Sequence, residues 1–458
     1  MRPSSRPRPT SPLGTALTWL FVLTANAAII PSLQRHSSAQ DSDDDVEEHA
    51  LFRASQLLPR ASLRGANFRI REQVENNGMF NVFTFDSDYG TFQVEGTQRT
   101  KARVHELQAL EVMERMSKSE LFVSTATKTA TAPLRFGGKL IRDPRRAVRD
   151  VRAGVESMLD NVGDAVFGDP RDESDPAMRE LLGVSRMKRT FAYEFGIDPY
   201  TEFAPVQKKL GEIGRTAFAA KITVSAAFAA VPGGAGLVLS GTKFGASMNE
   251  LLRDKPPREL KEQNRERLTA MGVHPHVADR FLEQQAYSPT QQTYLVGALE
   301  RLRGVKDKTA FLRPAALASN ATMAFYYRRM AEMLAAYHEK VKPIDQFVLL
   351  GKVPAVQTRD GVVVMILPFD HLAWTESLVE RSDGSAAQAV QQLSNVTSQE
   401  LWVEGSASGR ARRELTERGE QLPFSCSAHK PDAQARERAA RDQTTSLARR
   451  ACVPNTRT

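Results

Sequence analysis

Hydrophobic and polar residues alternate in three short runs between residues 67 and 94, a pattern typical of β-strands with one buried face. The runs cover residues 67–74, 79–85 and 91–94. Two turn sequences separate them, and both combine glycine with Asn or Asp, the residues that accept a left-handed backbone. The pattern therefore predicts a small antiparallel β-meander.

The hydrophobic spacing changes to three or four residues directly after this meander. Val104, Leu107 and Leu110 recur at helical spacing, so residues 98–117 are predicted to form a helix. A three-stranded sheet with one apolar face needs a cover, and this helix supplies one. Residues 61–122 are accordingly expected to form a unit of meander plus helix.

Helical spacing dominates the remaining chain, with one late exception. Residues 344–350 and 353–358 are strand-like, and the run at 362–367 (VVVMIL) is the most β-prone of all. Asp370 is expected to cap a helix that reaches residue 379. The predicted fold class is α+β and mostly helical. A small antiparallel β-meander packs on a helix, and a larger helical domain over residues 171–425 carries a β-hairpin near 345–368.

The N-terminus has the three-part pattern of a secretory signal. Arg2, Arg6 and Arg8 precede an uncharged apolar run at 13–30, and small residues follow. Cleavage is expected after Ala39, with a second suitable position after Ala27; an uncleaved anchor is the alternative, because the run is long enough to span a membrane. Residues 1–39 are thus a predicted signal peptide, and residues 40–60 an acidic flexible leader. The protein is expected to be periplasmic or extracellular.

The net charge of +8 comes from the two ends of the chain. Residues 1–39 hold four arginines and no acid, and residues 409–458 hold 11 basic and 6 acidic residues. The rest of the chain is therefore close to neutral, and nucleic acid is not an expected partner.

The two cysteines, Cys426 and Cys452, lie close to the C-terminus. An even number of cysteines in an exported protein predicts a disulfide, with two free thiols as the alternative. The composition of residues 426–458, rich in Ala, Arg and Gln, predicts a disordered basic tail around this bridge.

Two segments permit contact with a membrane. Residues 222–242 are uncharged and are interrupted by Pro232-Gly233-Gly234, so they are either two buried core helices or a hairpin that enters a bilayer. Residues 145–162, in a predicted connector and amphipathic helix over 123–170, carry four early arginines. That helix either packs on the core or lies on an anionic membrane surface.

Candidate chemistry is sparse. His274 and His276 precede Asp279 and Glu283 at helical spacing, but a second ligand cluster is missing, so neither a metal nor a cofactor is predicted. His371 and Glu376 follow the apolar run at 362–367, where acid–base residues are often placed, and they are weak catalytic candidates.

The sequence contains no complete catalytic motif. The S-x-x-K sequence at 185–188 lacks the companion motifs of penicillin-recognising enzymes, and no nucleophile elbow or phosphate-binding loop occurs. The expected function is that of an exported, non-enzymatic envelope protein that binds a partner, lipid or membrane surface. The alternative is an exported hydrolase with a site near His371 and Glu376.

Overall fold

The computed structural model describes residues 46–124, 176–230, 243–376, 378 and 385–417. Its first sheet is antiparallel and lies in the N-terminal region. The strands are β1 (Leu51–Arg53), β2 (Phe68–Ile70), β3 (Gln73–Asn76), β4 (Asn81–Ser87) and β5 (Gly90–Glu95). A short helix α1 (Ala54–Leu57) follows β1, and α2 (Thr97–Ser117) follows β5. Residues 51–57, assigned to the leader from sequence, therefore belong to the folded unit.

The predicted first strand is two strands in the structure. β2 and β3 both pair with β4, but the register changes by two residues between Ile70↔Phe85 and Glu75↔Val82. Arg71 and Glu72 lie between the two strands and bond to different elements. The Arg71 N–H donates to the Thr84 carbonyl in β4, and the Glu72 carbonyl accepts from the Ala54 N–H at the start of α1. β1 pairs with β3 on the edge away from β4.

Helix α2 is buried on two sides. The sequence predicted only that it covers the apolar face of the sheet. The first core joins the sheet and α2 to three further helices, α3 (Pro176–Phe195), α4 (Ala204–Ala220) and α5 (Val224–Ala229). Ile222 and Ala227 are buried in this core. In the described part of the uncharged segment, 222–230, these two side chains pack against protein, and four other residues are exposed.

Helix α6 (Lys243–Asp254) packs chiefly on α3. The second core joins the second sheet to the helices that follow, α7 (Pro257–Ala270), α8 (Pro275–Leu282), α9 (Pro289–Arg301), α10 (Lys308–Ala315) and α11 (Ala321–Lys340). The strands are β6 (Ile344–Leu350), β7 (Val353–Thr358), β8 (Val362–Leu367) and β10 (Ser398–Val403). β6, β7 and β8 form an antiparallel meander, as the predicted hairpin requires, and β10 adds in parallel to β8. The α+β fold class is thus confirmed.

Asp370 has a different role from the one predicted. It is followed by β9 (His371–Leu372), which pairs with β11 (Ser406–Ala407), so no helix begins there. Its Oδ2 accepts hydrogen bonds from the backbone N–H groups of Asn81 and Thr97, both at 2.9 Å. Asp370 therefore caps α2, which is remote in sequence, because the second sheet ends against the first.

The last described elements are α12 (Ser385–Gln391) and α13 (Gly409–Glu417). The predicted signal peptide, the helix at 145–162 and the cysteines Cys426 and Cys452 lie outside the described residues. Within the described ranges, no helix is both long and apolar enough to cross a membrane.

Candidate functional site

The described structure contains a cavity of about 1550 Å³, here called the arginine groove. One wall is α2 and another is the segment 196–203 that joins α3 to α4. The opposite side consists of α6, the loop at 283–288 and the first turns of α9 and α11. Residues of both cores therefore meet around it.

Charged side chains dominate the lining of the groove. Seven are basic and four are acidic, so the lining is net positive although the body of the chain is nearly neutral. They are Arg99, Arg103, Arg189, Arg253, Lys261, Arg328 and Arg329, against Glu106, Asp198, Glu202 and Glu283.

Three of these arginines lie over aromatic rings, and each of the three is also ion-paired. Arg253 makes two hydrogen bonds to Asp254, at 2.7 and 3.0 Å, and Arg328 lies 3.4 Å from Glu332. Measured from Cζ to the ring centroid, the pairs are Arg103 on Phe203 at 4.1 Å, Arg253 on Tyr193 at 4.7 Å, and Arg328 on Phe325 at 4.8 Å.

Arg103 also belongs to a chain of ion pairs along α2. Its Nε lies 2.9 Å from Oε2 of Glu106, and its Nη2 lies 3.6 Å from Glu202. Arg99 contacts the same Glu202 at 2.7 Å. The Nε of Arg103 nevertheless has no well-aligned hydrogen-bond acceptor among the described residues, so its contact with Glu106 is ionic rather than a good hydrogen bond.

Two acids of the groove are removed from bulk water. Burial raises the pKa of Glu106 to about 7, and the nearby Arg103 only partly offsets that rise. Burial also raises the pKa of Asp198, although this side chain accepts hydrogen bonds from the Thr290 hydroxyl and, at 2.8 Å, from the Tyr200 N–H. Asp198 is partly exposed and is among the residues that line the groove.

Other polar atoms of the groove lack partners. Among the described residues, no donor hydrogen-bonds to the buried Oε1 of Gln291. The Tyr200 hydroxyl lies beside the Arg189 guanidinium, but no described group gives it a hydrogen bond of acceptable geometry. A buried polar atom without a partner costs free energy, so a bound ligand or water that supplies one is favoured at these atoms.

The weak catalytic candidates lie away from this groove. His371 is half-buried, and its Nδ1 is 2.7 Å from the Ser406 hydroxyl, its neighbour across the β9–β11 pair. Burial lowers the pKa of His371, and its ring packs edge-on against Phe52. Glu376 is exposed, and no hydrogen bond or ion pair between described groups joins it to His371.

The structure does not assemble the other sequence candidates into a site. His274 and His276 are exposed at the start of α8, and Asp279 is engaged by Arg265 at 2.9 Å. Within the described ranges, no group of three or more His, Cys, Asp or Glu side chains is placed to hold a metal ion. Ser185 accepts from Arg189, and Lys188 donates to Gln207, so the S-x-x-K residues are not paired with each other.

The arginine groove itself was missed from sequence because its basic residues come from five different helices. One signal was available. Glu106 lies on the apolar stripe of α2, between Val104 and Leu107, where a buried charge marks a special environment.

Comparisons of the chain with known protein families, with characterised proteins and with solved structures find no match.

Proposed function

We propose that the protein is a non-enzymatic binding protein whose arginine groove holds an anionic ligand. The observation that carries this proposal is the convergence of seven basic side chains on one groove, three of which, Arg103, Arg253 and Arg328, lie over aromatic rings. A planar guanidinium is suited to bidentate contacts with carboxylate, sulfate or phosphate groups. Together with the predicted signal, this makes the protein an exported receptor for an anionic partner.

The basic side chains of the lining exceed its acids by three. Three carboxylates outside the lining, Asp254, Glu332 and Glu404, are paired with Arg253, Arg328 and Arg329. An anionic ligand must therefore compete with these carboxylates for the guanidiniums.

The test is a binding titration of the full chain with three labelled probes: tetragalacturonate, tetraglutamate and tripolyphosphate. We expect at least one to bind, and the double variant Arg103→Gln/Arg328→Gln to weaken it by about tenfold or more, because hydrogen bonds to charged groups contribute roughly 1.5–3 kcal/mol. The control is Arg71→Gln/Arg115→Gln, which removes the same charge from side chains that are 54% and 52% exposed. Equal losses in both double variants would contradict the proposal.

A second candidate function, hydrolysis, is favoured by one observation, the contact between His371 Nδ1 and the Ser406 hydroxyl. A histidine within hydrogen-bond distance can activate a serine as a nucleophile. A fluorophosphonate probe tests it: labelling of the full chain should be lost in Ser406→Ala and in His371→Ala but kept in Ser408→Ala. A full chain that is not labelled rules out this candidate.

A further inference from the structure

We propose that His338 is an acid-sensitive lock between helix α11 and strand β6, and that protonation of its ring frees the segment 341–346 that joins them. The proposal concerns the second core and is independent of the arginine groove. The observation that carries it is a hydrogen bond in which the backbone N–H of Ile344, the first residue of β6, donates to Nδ1 of His338 at 3.0 Å.

This bond exists only while the imidazole ring of His338 is neutral. A neutral ring has one nitrogen that accepts a hydrogen bond, whereas an imidazolium carries a proton on both nitrogens and accepts none. The bond to Nδ1 therefore places the single proton of the neutral ring on Nε2. After protonation, the Ile344 N–H would face a second N–H, so the attraction at this contact would become repulsion.

The position of Ile344 makes this bond important for the strand. Its side chain is 1% exposed and belongs to the second core. Between Ile344 and Gln346 the register with β7 shifts, and the Asp345 carbonyl accepts instead from the Lys306 N–H at 2.9 Å. The start of β6 therefore depends on contacts with α11 and with Lys306 as well as on its pairing with β7.

The surroundings of the ring oppose a positive charge on it. Burial lowers the pKa of His338 most, and two cations lower it further: Arg359, in the turn between β7 and β8, and Lys308, at the start of α10. Glu339 acts in the opposite direction, but its carboxylate makes two hydrogen bonds to Arg301, at 2.9 and 2.6 Å. The C-terminal end of α11 attracts a cation and offsets part of the effect. The folded protein therefore binds this proton less readily than the unfolded chain does.

The other acids at this junction are also engaged. Asp345 lies 3.1 Å from Lys306, and Asp360 lies 3.4 Å from Lys342. Across the described part of the chain, no carboxylate forms an ion pair with the His338 ring, so protonation gains no salt bridge that would offset the lost hydrogen bond.

The direction of the pH dependence follows from the lowered pKa of His338. The contribution of the lock is complete above the ordinary histidine pKa of 6.5 and is lost as the pH falls through the lower pKa of the folded state. Acid therefore weakens the junction between α11 and β6. Burial of Glu106, in the first core, has the opposite sign, because it raises the pKa of that carboxyl. A local measurement separates the two effects.

The experiment is amide hydrogen exchange of the full chain at pH 8 and pH 5, read as the protection factor of residues 341–346. A protection factor is the intrinsic exchange rate divided by the observed rate, so it corrects for the direct effect of pH on exchange. In the wild type we expect it to fall about fivefold or more at pH 5, the loss expected for one hydrogen bond.

Two substitutions of the same histidine separate its acceptor from its charge. His338→Asn should keep its protection at pH 5, because the Asn Oδ1 takes the place of Nδ1 as an acceptor and does not titrate. His338→Leu should have low protection at both pH values, since the acceptor is absent. His276→Asn, which replaces an exposed histidine at the start of α8, is the control and should behave as the wild type.

Three results would overturn the lock. They are wild-type protection that does not change between pH 8 and pH 5, a loss in His338→Asn as large as that of the wild type, and an equal loss over α2, which would indicate general unfolding in acid. If the variants do not fold, NMR titration of the wild-type ring decides. A midpoint below pH 6.5 that coincides with the loss of Ile344 protection supports the lock, and a midpoint at or above 6.5, or one that does not coincide, overturns it.

Discussion

Replacing Glu106 by Gln should stabilise the protein at alkaline pH and leave it nearly unchanged in acid. Glu106 is only 7% exposed, and its pKa rises from 4.5 to about 7 on folding. Since one pKa unit corresponds to about 1.4 kcal/mol, ionised Glu106 costs the folded state at most roughly 3 kcal/mol. Gln has the shape of the protonated acid and retains an oxygen that can accept from Arg103.

The direction of this pH dependence follows from proton binding to Glu106. Between pH 4.5 and 7 the folded state holds a proton on Glu106 that the unfolded state has released, so the free energy of unfolding falls as pH rises. The stabilising contribution is complete below pH 4.5 and is lost once the pH passes about 7. The free energy of unfolding of the wild type should therefore fall by about 2–3 kcal/mol more than that of Glu106→Gln between pH 5 and pH 8.

The assay is urea unfolding followed by circular dichroism, for wild type and variant, at pH 5 and pH 8. Glu111→Gln on the same helix is the control, because that side chain is 37% exposed and should leave the pH dependence unchanged. If wild type and Glu106→Gln lose the same stability between the two pH values, the burial of an ionised Glu106 is not what couples stability to pH in this range.

Three further predictions concern the junction between the two sheets. Asp370→Ala should lower the free energy of unfolding by roughly 1–3 kcal/mol in urea, since two backbone N–H groups lose their acceptor. Gly405→Ala should lower the free energy of unfolding more than Asp370→Ala does, because an added Cβ would lie 1.7 Å from the Asp370 carbonyl oxygen. The control is Gly211→Ala, which lies inside a helix with only a flexible side chain nearby and should be neutral or stabilising. Glu47→Ala should speed proteolysis of the N-terminal segment, because its carboxylate holds that segment to the Trp374 N–H at 2.6 Å; an unchanged rate of cleavage would contradict this.

Local patterns were sufficient for much of the fold. The helix predicted at 98–117 is α2, and the runs at 344–350, 353–358 and 362–367 are β6, β7 and β8. These elements are recognisable because alternation and helical spacing reflect burial on one face, which depends on near neighbours in the chain. β1 was missed because three residues, Leu51 to Arg53, carry too little pattern.

The candidate site was not predictable in the same way. His371 and Glu376 are neighbours in sequence, yet the structure does not join them, whereas Arg103 and Arg328 line one groove from opposite parts of the chain. A single sequence does not show which distant charged residues meet in the fold, so the sequence analysis singled out the histidines and did not mention these arginines.

The sequence by itself determined the fold class, the helix at 98–117, the three strands between 344 and 367, and the expectation of export. Only the tertiary structure decided which charges share an environment. It turned Asp370 into a cap for a distant helix, and it buried Glu106 beside Arg103. The physical reason is the distance along the chain over which each effect acts. Backbone preference and amphipathic spacing involve residues a few positions apart, whereas desolvation and ion pairing depend on the atoms that the folded chain brings together.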